Sequence, residues 1–173
     1  MPLDLLTLAH ISSDHGLVGG LVHPMLGLDH LLAMVAVGLI AAQCLGTARL
    51  TAPLAFLVAM SLGFVLASTG PALPLPTEAT IIASVVLLGL VAAFARQIHP
   101  AILAALIALS GLAHGQAHGA EAMAPLAPYA LGMLMTTAVL HALGFAFARF
   151  ASRQLVYLSG FGIAATGIVL ALA

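Results

Sequence analysis

The chain has 173 residues, of which 63% are hydrophobic and 5% are charged, and its formal net charge is −1. Soluble domains carry about 25% charged residues, so four basic and five acidic side chains are too few to cover a water-soluble surface. No basic cluster is present that could follow a phosphate backbone, which argues against nucleic acid binding. We therefore predict a polytopic membrane protein, in contact mainly with the lipid bilayer.

Six segments are apolar and long enough to cross a bilayer core of about 30 Å, which takes roughly 20 residues per helix. The breaks between them fall at prolines such as Pro100 and Pro125. The single cysteine, Cys44, excludes an internal disulfide and a cysteine-rich metal site. The prediction is an all-α fold in a single domain over residues 1–173, a compact bundle of six transmembrane helices at about 24–45, 51–69, 79–95, 101–118, 126–148 and 154–173.

The charged residues predict the orientation of the bundle. All four arginines follow the first, third or fifth segment: Arg49, Arg96, Arg149 and Arg153. Because arginine-bearing loops stay cytoplasmic, both termini should lie outside. Three helices running inward and three outward would permit an inverted-topology repeat, although the two halves show no residue-level match. The N-terminus lacks the basic region of a secretory signal, so either the protein has none or one has been removed.

The first polar cluster is the run His23-Pro24-Met25-Leu26-Gly27-Leu28-Asp29-His30, at the start of the first segment. Proline suits a first helical turn, so His23 is predicted at or just before the N-cap. Residues 16–22 are also apolar. The chain is therefore expected to enter the membrane earlier and to break at His23-Pro24, as a broken or re-entrant segment beside protein or a wet cavity.

The second polar cluster lies near the end of the fourth segment. His114, His118 and Glu121 are spaced i, i+4 and i+7, which places them on one face of a helix. Two imidazoles and a carboxylate are costly to bury in hydrocarbon without a partner, and a divalent cation is the obvious one. A stripe of small residues runs beside them at Gly111, Gly115 and Gly119, and we expect the first segment to pack there.

Both clusters are predicted near the outer side of the membrane, because the first segment runs inward and the fourth runs outward. Mixed nitrogen and oxygen ligands suit nickel, cobalt, copper(II) or zinc better than magnesium or calcium. The predicted metal ligands are His23, Asp29, His30, His114, His118 and Glu121. Some have structural alternatives, since His23 could cap a helix and Asp29 could form an ion pair with His30.

Four further residues are candidate ligands that each have an ordinary explanation. Met34, one turn after His30, could offer a thioether or simply fill the core. His10 and His15 could collect metal outside the membrane or be solvated surface residues. His141, in the fifth segment, could be a packing histidine between helices or a transfer site on the inward path.

The two polar clusters resemble the HupE/UreJ family of bacterial nickel permeases. The resemblance rests on His23-Pro24, Gly27 and Asp29-His30-Leu31-Leu32-Ala33-Met34, followed in order by the run from Ala113 to Glu121. It implies that Ni²⁺ is transported across the bacterial inner membrane as a substrate, usually to supply hydrogenase or urease, with cobalt for some relatives. The broader nickel/cobalt transporter family carries an analogous histidine-aspartate-histidine helix, but its His-Ala-x-Asp-Ala-Asp-His pattern is absent from this sequence.

The resulting hypothesis is a secondary permease for a divalent metal ion, without a cofactor and without enzymatic activity. No Walker-type phosphate loop is present, so this chain is not expected to use ATP. Ligand types do not distinguish Ni²⁺ from Co²⁺ or Zn²⁺, and the sequence leaves the oligomeric state open. The enzymatic alternative is an intramembrane zinc hydrolase, which the absence of a His-Glu-x-x-His motif disfavours. A haem-binding electron carrier with paired histidines is a third alternative, disfavoured by the neighbouring Asp29 and Glu121.

Overall fold

A computed structural model describes residues 16–70, 77–122 and 124–173 of the chain. The described residues form α-helices α1 (Gly16–Leu26), α2 (Leu28–Gln43), α3 (Ala48–Thr69), α4 (Thr77–Phe94), α5 (Pro100–Glu121), α6 (Leu126–Phe150) and α7 (Arg153–Leu172). A short 3-10 turn, Ala95–Gln97, extends α4. Five of these helices are long and apolar enough to cross a membrane, and α1 with α2 makes a sixth span if the bent pair is counted as one. The predicted all-α, polytopic fold is confirmed.

The first span is broken, as predicted, but the predicted position of the break was wrong. The axes of α1 and α2 meet at 85°, and the non-helical residue between them is Gly27, with φ −91° and ψ 119°. His23 and Pro24 lie inside the last turn of α1. Pro24 has no N–H to donate to the preceding turn, yet the helix continues for two more residues. A Cβ at Gly27 would lie 2.6 Å from Asp29 Oδ1 and 3.0 Å from His30 Nδ1, so glycine leaves room for the contact between these two side chains.

The helices pack mainly as α3 on α5, α4 on α7, and α6 on both α1 and α2. At each of these crossings a glycine of one helix lies against the backbone of the other helix, at a glycine or at the residue next to one. The pairs are Gly20 with Gly132, Gly38 with Gly144, Gly63 with Gly115, and Gly89 with Gly160. Small residues let helix backbones approach closely within a membrane, where no hydrophobic driving force between helices exists.

The glycine stripe of α5 packs on a different partner from the one predicted. Gly111, Gly115 and Gly119 lie against the backbone of Phe56, Met60 and Phe64, all in α3. The expectation that the first span occupies this stripe was therefore wrong. The physical reason lies in the space available: helices in backbone contact leave no room for imidazoles between them, whereas α2 stands far enough from α5 for the histidines to fill the gap.

The helix pairing is symmetric under exchange of the two halves of the bundle. Counting α1 with α2 as the first span, the pairs are first with fifth, second with fourth, and third with sixth. Exchanging spans one to three with spans four to six leaves this pairing unchanged. The two spans that carry the polar clusters, first and fourth, are equivalent under that exchange. An inverted repeat gives this pattern, and such transporters place their substrate site where the repeats meet.

The two ends of the bundle differ in charge. Three arginines, Arg49, Arg96 and Arg149, line one cavity of about 420 Å³ at the end where α2 finishes. The carboxylates of the described residues, Asp29, Glu78 and Glu121, lie at or near helix ends that the chain order places on the opposite side. The polar clusters thus lie toward the acidic end of the bundle.

Candidate metal centre

Four imidazole rings from the two polar clusters meet between the first and fourth spans. Ring centroids lie 5.0 Å apart for His23 and His118, 4.6 Å for His118 and His30, and 5.1 Å for His30 and His114. The rings therefore form a continuous series from α1 through α5 and α2 and back to α5. His30 and His114 are 84 positions apart in the sequence, so their contact depends on the tertiary fold.

The series runs from a partly exposed mouth into the protein interior. The side chain of His23 is 34% exposed and that of His30 is 14% exposed, whereas His114 and His118 are fully buried. Glu121 is at the mouth, with 56% of its side chain exposed and its Oε2 atom 3.0 Å from His23 Nε2. Ligand atoms of His23, His118 and Glu121 all lie within 4.8 Å of one another, close enough to share one metal ion.

Two of the rings are held by hydrogen bonds on one nitrogen, which leaves the other nitrogen free. His30 Nδ1 lies 2.9 Å from Asp29 Oδ1, which also accepts a bond from the backbone N–H of His30. His114 Nδ1 lies 2.9 Å from the carbonyl oxygen of Ser110, one turn earlier in α5. In both rings Nε2 is buried without a hydrogen-bond partner among the described residues. Metal-binding histidines usually have this arrangement: one ring nitrogen is hydrogen-bonded to a carboxylate or carbonyl, and the other binds the metal. The hydrogen bond fixes the orientation of the ring and raises its basicity.

His118 has no hydrogen-bond partner within the described chain on either ring nitrogen, although it is fully buried. Buried polar atoms are nearly always paired, because leaving one unpaired costs about 1–3 kcal/mol. Four unpartnered nitrogens, on His30, His114 and His118, thus share one small region. With neutral imidazoles the nearby carboxylates of Asp29 and Glu121 supply two negative charges. Both the donor atoms and the charge suit a divalent transition-metal ion.

Apolar and thioether side chains close the inner side of this site. Met34 and Met60 are fully buried, and Thr137 Oγ1 donates to Met34 Sδ over 3.3 Å. The ring of Phe56 lies 5.5 Å from that of His114. The described structure therefore opens on the side of His23 and Glu121 and is closed beneath His114.

The other predicted ligands lie elsewhere. Met34 is one turn below His30 with its sulfur engaged by Thr137. The ring of His141 lies 5.2 Å from that of Phe56 and is not part of the four-histidine cluster. His10 and His15 fall outside the described residues.

Sequence reasoning missed several residues that shape the site. Ser110 could have been found, since its carbonyl oxygen lies one helical turn before His114, in reach of that ring. Tyr129, whose ring is 6.0 Å from His23, and Phe56 carry no sequence signal, because their places depend on which helices pack together. The role of Gly27 could be read only once its neighbours Asp29 and His30 were placed in space.

Comparison with known proteins identifies the family of the chain. Residues 2–170 match the family described as HupE / UreJ protein. The chain is 42% identical to Protein HupE of Rhizobium leguminosarum bv. viciae over 131 residues, which cover 75% of this chain and 68% of that protein. No solved structure matches the chain. The chain therefore belongs to the HupE/UreJ family, which makes it a multi-pass inner-membrane protein and supports a role in metal transport.

Proposed function

We propose that the protein is a secondary permease that imports a divalent transition-metal ion. The main proposed substrate is Ni²⁺, and Co²⁺ and Zn²⁺ are alternatives. The observation that carries the proposal is the convergence of His30, His114 and His118, whose buried Nε2 atoms have no partner within the described residues. In this proposal His23 and Glu121 receive the ion at the mouth. Asp29 orients His30 and supplies charge.

The orientation of the bundle follows from its arginines. Because arginine-rich ends of short loops stay in the cytoplasm, the cavity lined by Arg49, Arg96 and Arg149 is the inner side. The mouth at His23 and Glu121 then faces outward, and both termini lie outside, as the sequence predicts. An incoming cation meets carboxylates first and arginines last.

The membrane potential is sufficient as a driving force. An inside-negative potential of 100 mV contributes about 2.3 kcal/mol per charge, or about 4.6 kcal/mol for a divalent ion. That energy corresponds to an accumulation of at least about a thousandfold. For the ion to leave, the site must bind it moderately or switch between two states. The broken first span and the exchange symmetry of the helix pairs provide the type of framework in which a site opens alternately to the two sides.

The proposal is tested with purified protein in liposomes that contain no other protein. We expect ⁶³Ni²⁺ to accumulate when an inside-negative potential is imposed, and excess Co²⁺ or Zn²⁺ to compete if either is also a substrate. Empty liposomes provide the background. Absence of accumulation of all three metals, in protein that is folded and inserted, would contradict a permease.

Uptake should depend on pH with a definite sign. Imidazole binds metal only when neutral, so protons compete with the ion, and an ordinary histidine has a pKa of about 6.5. Uptake is therefore expected to fall as the external pH is lowered, because protons then compete with the ion for the ring nitrogens. Initial rates should be measured at a clamped potential, so that the driving force is constant. Rates that rise steadily between pH 7 and pH 5 would be incompatible with histidine ligands.

Asp29→Asn should weaken metal binding without removing a histidine. The amide oxygen is a neutral and therefore weaker acceptor for His30 Nδ1–H, so the ring is held less firmly and loses part of its basicity. Loss of such a supporting group lowers metal affinity by about 10–100-fold, measured as the concentration of Ni²⁺ that half-saturates uptake. The control is Glu78→Gln, which removes an exposed carboxylate at the start of α4. Equal half-saturation in Asp29→Asn and Glu78→Gln would show that Asp29 has no part in the site.

A further inference from the structure

Three arginines from separate parts of the sequence line the cavity at the inner end of the bundle. Arg49 lies in the first turn of α3, Arg96 in the 3-10 turn after α4, and Arg149 in the last turn of α6. The cavity has a volume of about 420 Å³, which is within the range of about 300–1,000 Å³ usual for small-ligand sites. The positive-inside rule explains arginines on this side of the membrane, but it does not require them to meet in one cavity.

The positive charge of this cavity is not matched by carboxylates of the described residues. The lining contains no aspartate or glutamate. Both ion pairs of the described residues join a histidine to a carboxylate at the opposite end of the bundle. Because a guanidinium group is never deprotonated in proteins, three like charges repel one another across the cavity. An anion bound among them would replace this repulsion by attraction.

The arginines keep hydrogen-bond donors available for such an anion. Arg49 Nε donates to the carbonyl oxygen of Cys44 over 2.9 Å, which holds this side chain against the end of α2. Its terminal nitrogens have no partner within the described residues, and neither do the guanidinium groups of Arg96 and Arg149. The planar guanidinium fork matches the oxygens of a phosphate group, which it binds through two parallel hydrogen bonds.

Helix ends also contribute partial charges to the cavity. Ala48 and Pro100, the first residues of α3 and α5, both belong to its lining. The N-terminus of a helix carries about half a positive charge and favours a phosphate group. The C-terminal end of α2, at Gln43 and Cys44, contributes one partial negative charge. The sum of full and partial charges therefore remains strongly positive.

The rest of the lining is apolar. Leu45 lines the cavity with 80% of its surface exposed, and the buried Ala95 and Leu103 lie beside it. The cavity lies where the transmembrane helices end on the inner side, which is the depth of the lipid headgroups. Basic pockets between transmembrane helices on the cytoplasmic side are known to bind anionic headgroups. A cationic cavity with apolar walls suits a ligand that has a phosphate group.

We propose that the cavity lined by Arg49, Arg96 and Arg149 is a binding site for an anionic phosphate group. Two sources can supply this chemistry: the headgroup of an anionic phospholipid in the inner leaflet, and free phosphate in the cytoplasm. The site lies at the opposite end of the bundle from the metal centre, so it is an addition to the proposed function and does not depend on it.

The test measures ligand binding to the purified full-length protein without metal. The melting temperature in detergent micelles is followed as phosphatidylglycerol, neutral phosphatidylcholine or sodium phosphate is added, with sodium chloride of equal ionic strength beside the phosphate. The proteins are the wild type, the triple variant Arg49→Gln/Arg96→Gln/Arg149→Gln, and Arg153→Gln. Arg153 is the matched control, because it belongs to the same end of the bundle but lines a separate surface groove.

We expect phosphatidylglycerol or sodium phosphate to raise the melting temperature of the wild type and of Arg153→Gln equally. The triple variant should bind at least about tenfold more weakly, since losing one hydrogen bond to a charged group has an effect of that size. A response to phosphatidylglycerol alone would identify the lipid headgroup as the ligand. A response to sodium phosphate beyond that to sodium chloride would identify free phosphate.

Equal responses in the wild type and the triple variant, or equal losses in the triple variant and Arg153→Gln, would overturn the proposal. If the triple variant does not fold, Arg49→Gln, Arg96→Gln and Arg149→Gln are measured singly, and each should bind more weakly than Arg153→Gln. Equal affinity in all four single variants would also overturn it. Because no metal is present, none of these results depends on whether the protein is a permease.

Discussion

Replacing His118 by alanine is expected to lower nickel uptake by at least about a hundredfold. Loss of a group that only supports a metal ligand lowers metal affinity by about 10–100-fold, so loss of a ligand itself should have at least the larger of these effects. His118 is the ring nearest to both His23 and His30, at 5.0 and 4.6 Å between centroids. Its removal separates the mouth of the site from its interior. The measurement is ⁶³Ni²⁺ accumulation in cells at matched expression, followed by Ni²⁺ binding to the purified variant.

A matched control is available on the same helix. His99 is the exposed N-cap of α5, where its Nδ1 accepts a bond from the Ala101 N–H over 3.3 Å. His99→Asn removes an imidazole and keeps a capping side chain, so uptake should be unchanged. Normal accumulation in His118→Ala, with normal amounts of protein in the membrane, would mean that this cluster does not carry the ion.

Replacing Gly115 by alanine should destabilise the bundle, although Gly115 binds nothing itself. A Cβ there would overlap the backbone carbonyl of Met60, so α3 and α5 would have to move apart. Overpacking of this kind costs about 1–3 kcal/mol. Because His114 and His118 flank Gly115 on α5, the displacement should also disturb the metal site. We expect a melting temperature several degrees lower in detergent, and lower Ni²⁺ affinity.

Gly162→Ala is the matched control, because a Cβ at that helical position meets nothing within 4 Å. Alanine is favoured over glycine inside a helix by about 0.5–1 kcal/mol, so this variant should be at least as stable as the wild type. If Gly115→Ala and Gly162→Ala melt at the same temperature, close backbone packing of α3 on α5 does not determine stability.

The helices were predictable from sequence to the extent that the membrane determines them. Hydropathy and proline positions predict six spans, because the bilayer requires long apolar helices. The bend was harder to place: Pro24 is the stronger local signal, yet the break falls at Gly27, where space for Asp29 and His30 is needed. Helix partners were not predictable, since the stripe containing Gly115 is suited to any close neighbour and the sequence does not say which one.

The composition of the candidate site was predictable, whereas its internal arrangement was not. Helical spacing places His114 and His118 on one face, and topology places them at the depth of His30. Which ring nitrogen is free depends on neighbours in space, such as Asp29 behind His30. The contact of Phe56 with both His114 and His141 is likewise a consequence of packing between α3, α5 and α6.

The most direct test of the account is anomalous X-ray diffraction at the nickel absorption edge from crystals of the protein grown with Ni²⁺. We predict a strong peak between the first and fourth spans, within bonding distance of ring nitrogens of the four-histidine cluster formed by His23, His30, His114 and His118. A strong peak elsewhere, with these nitrogens bonded to water or to protein groups, would contradict it.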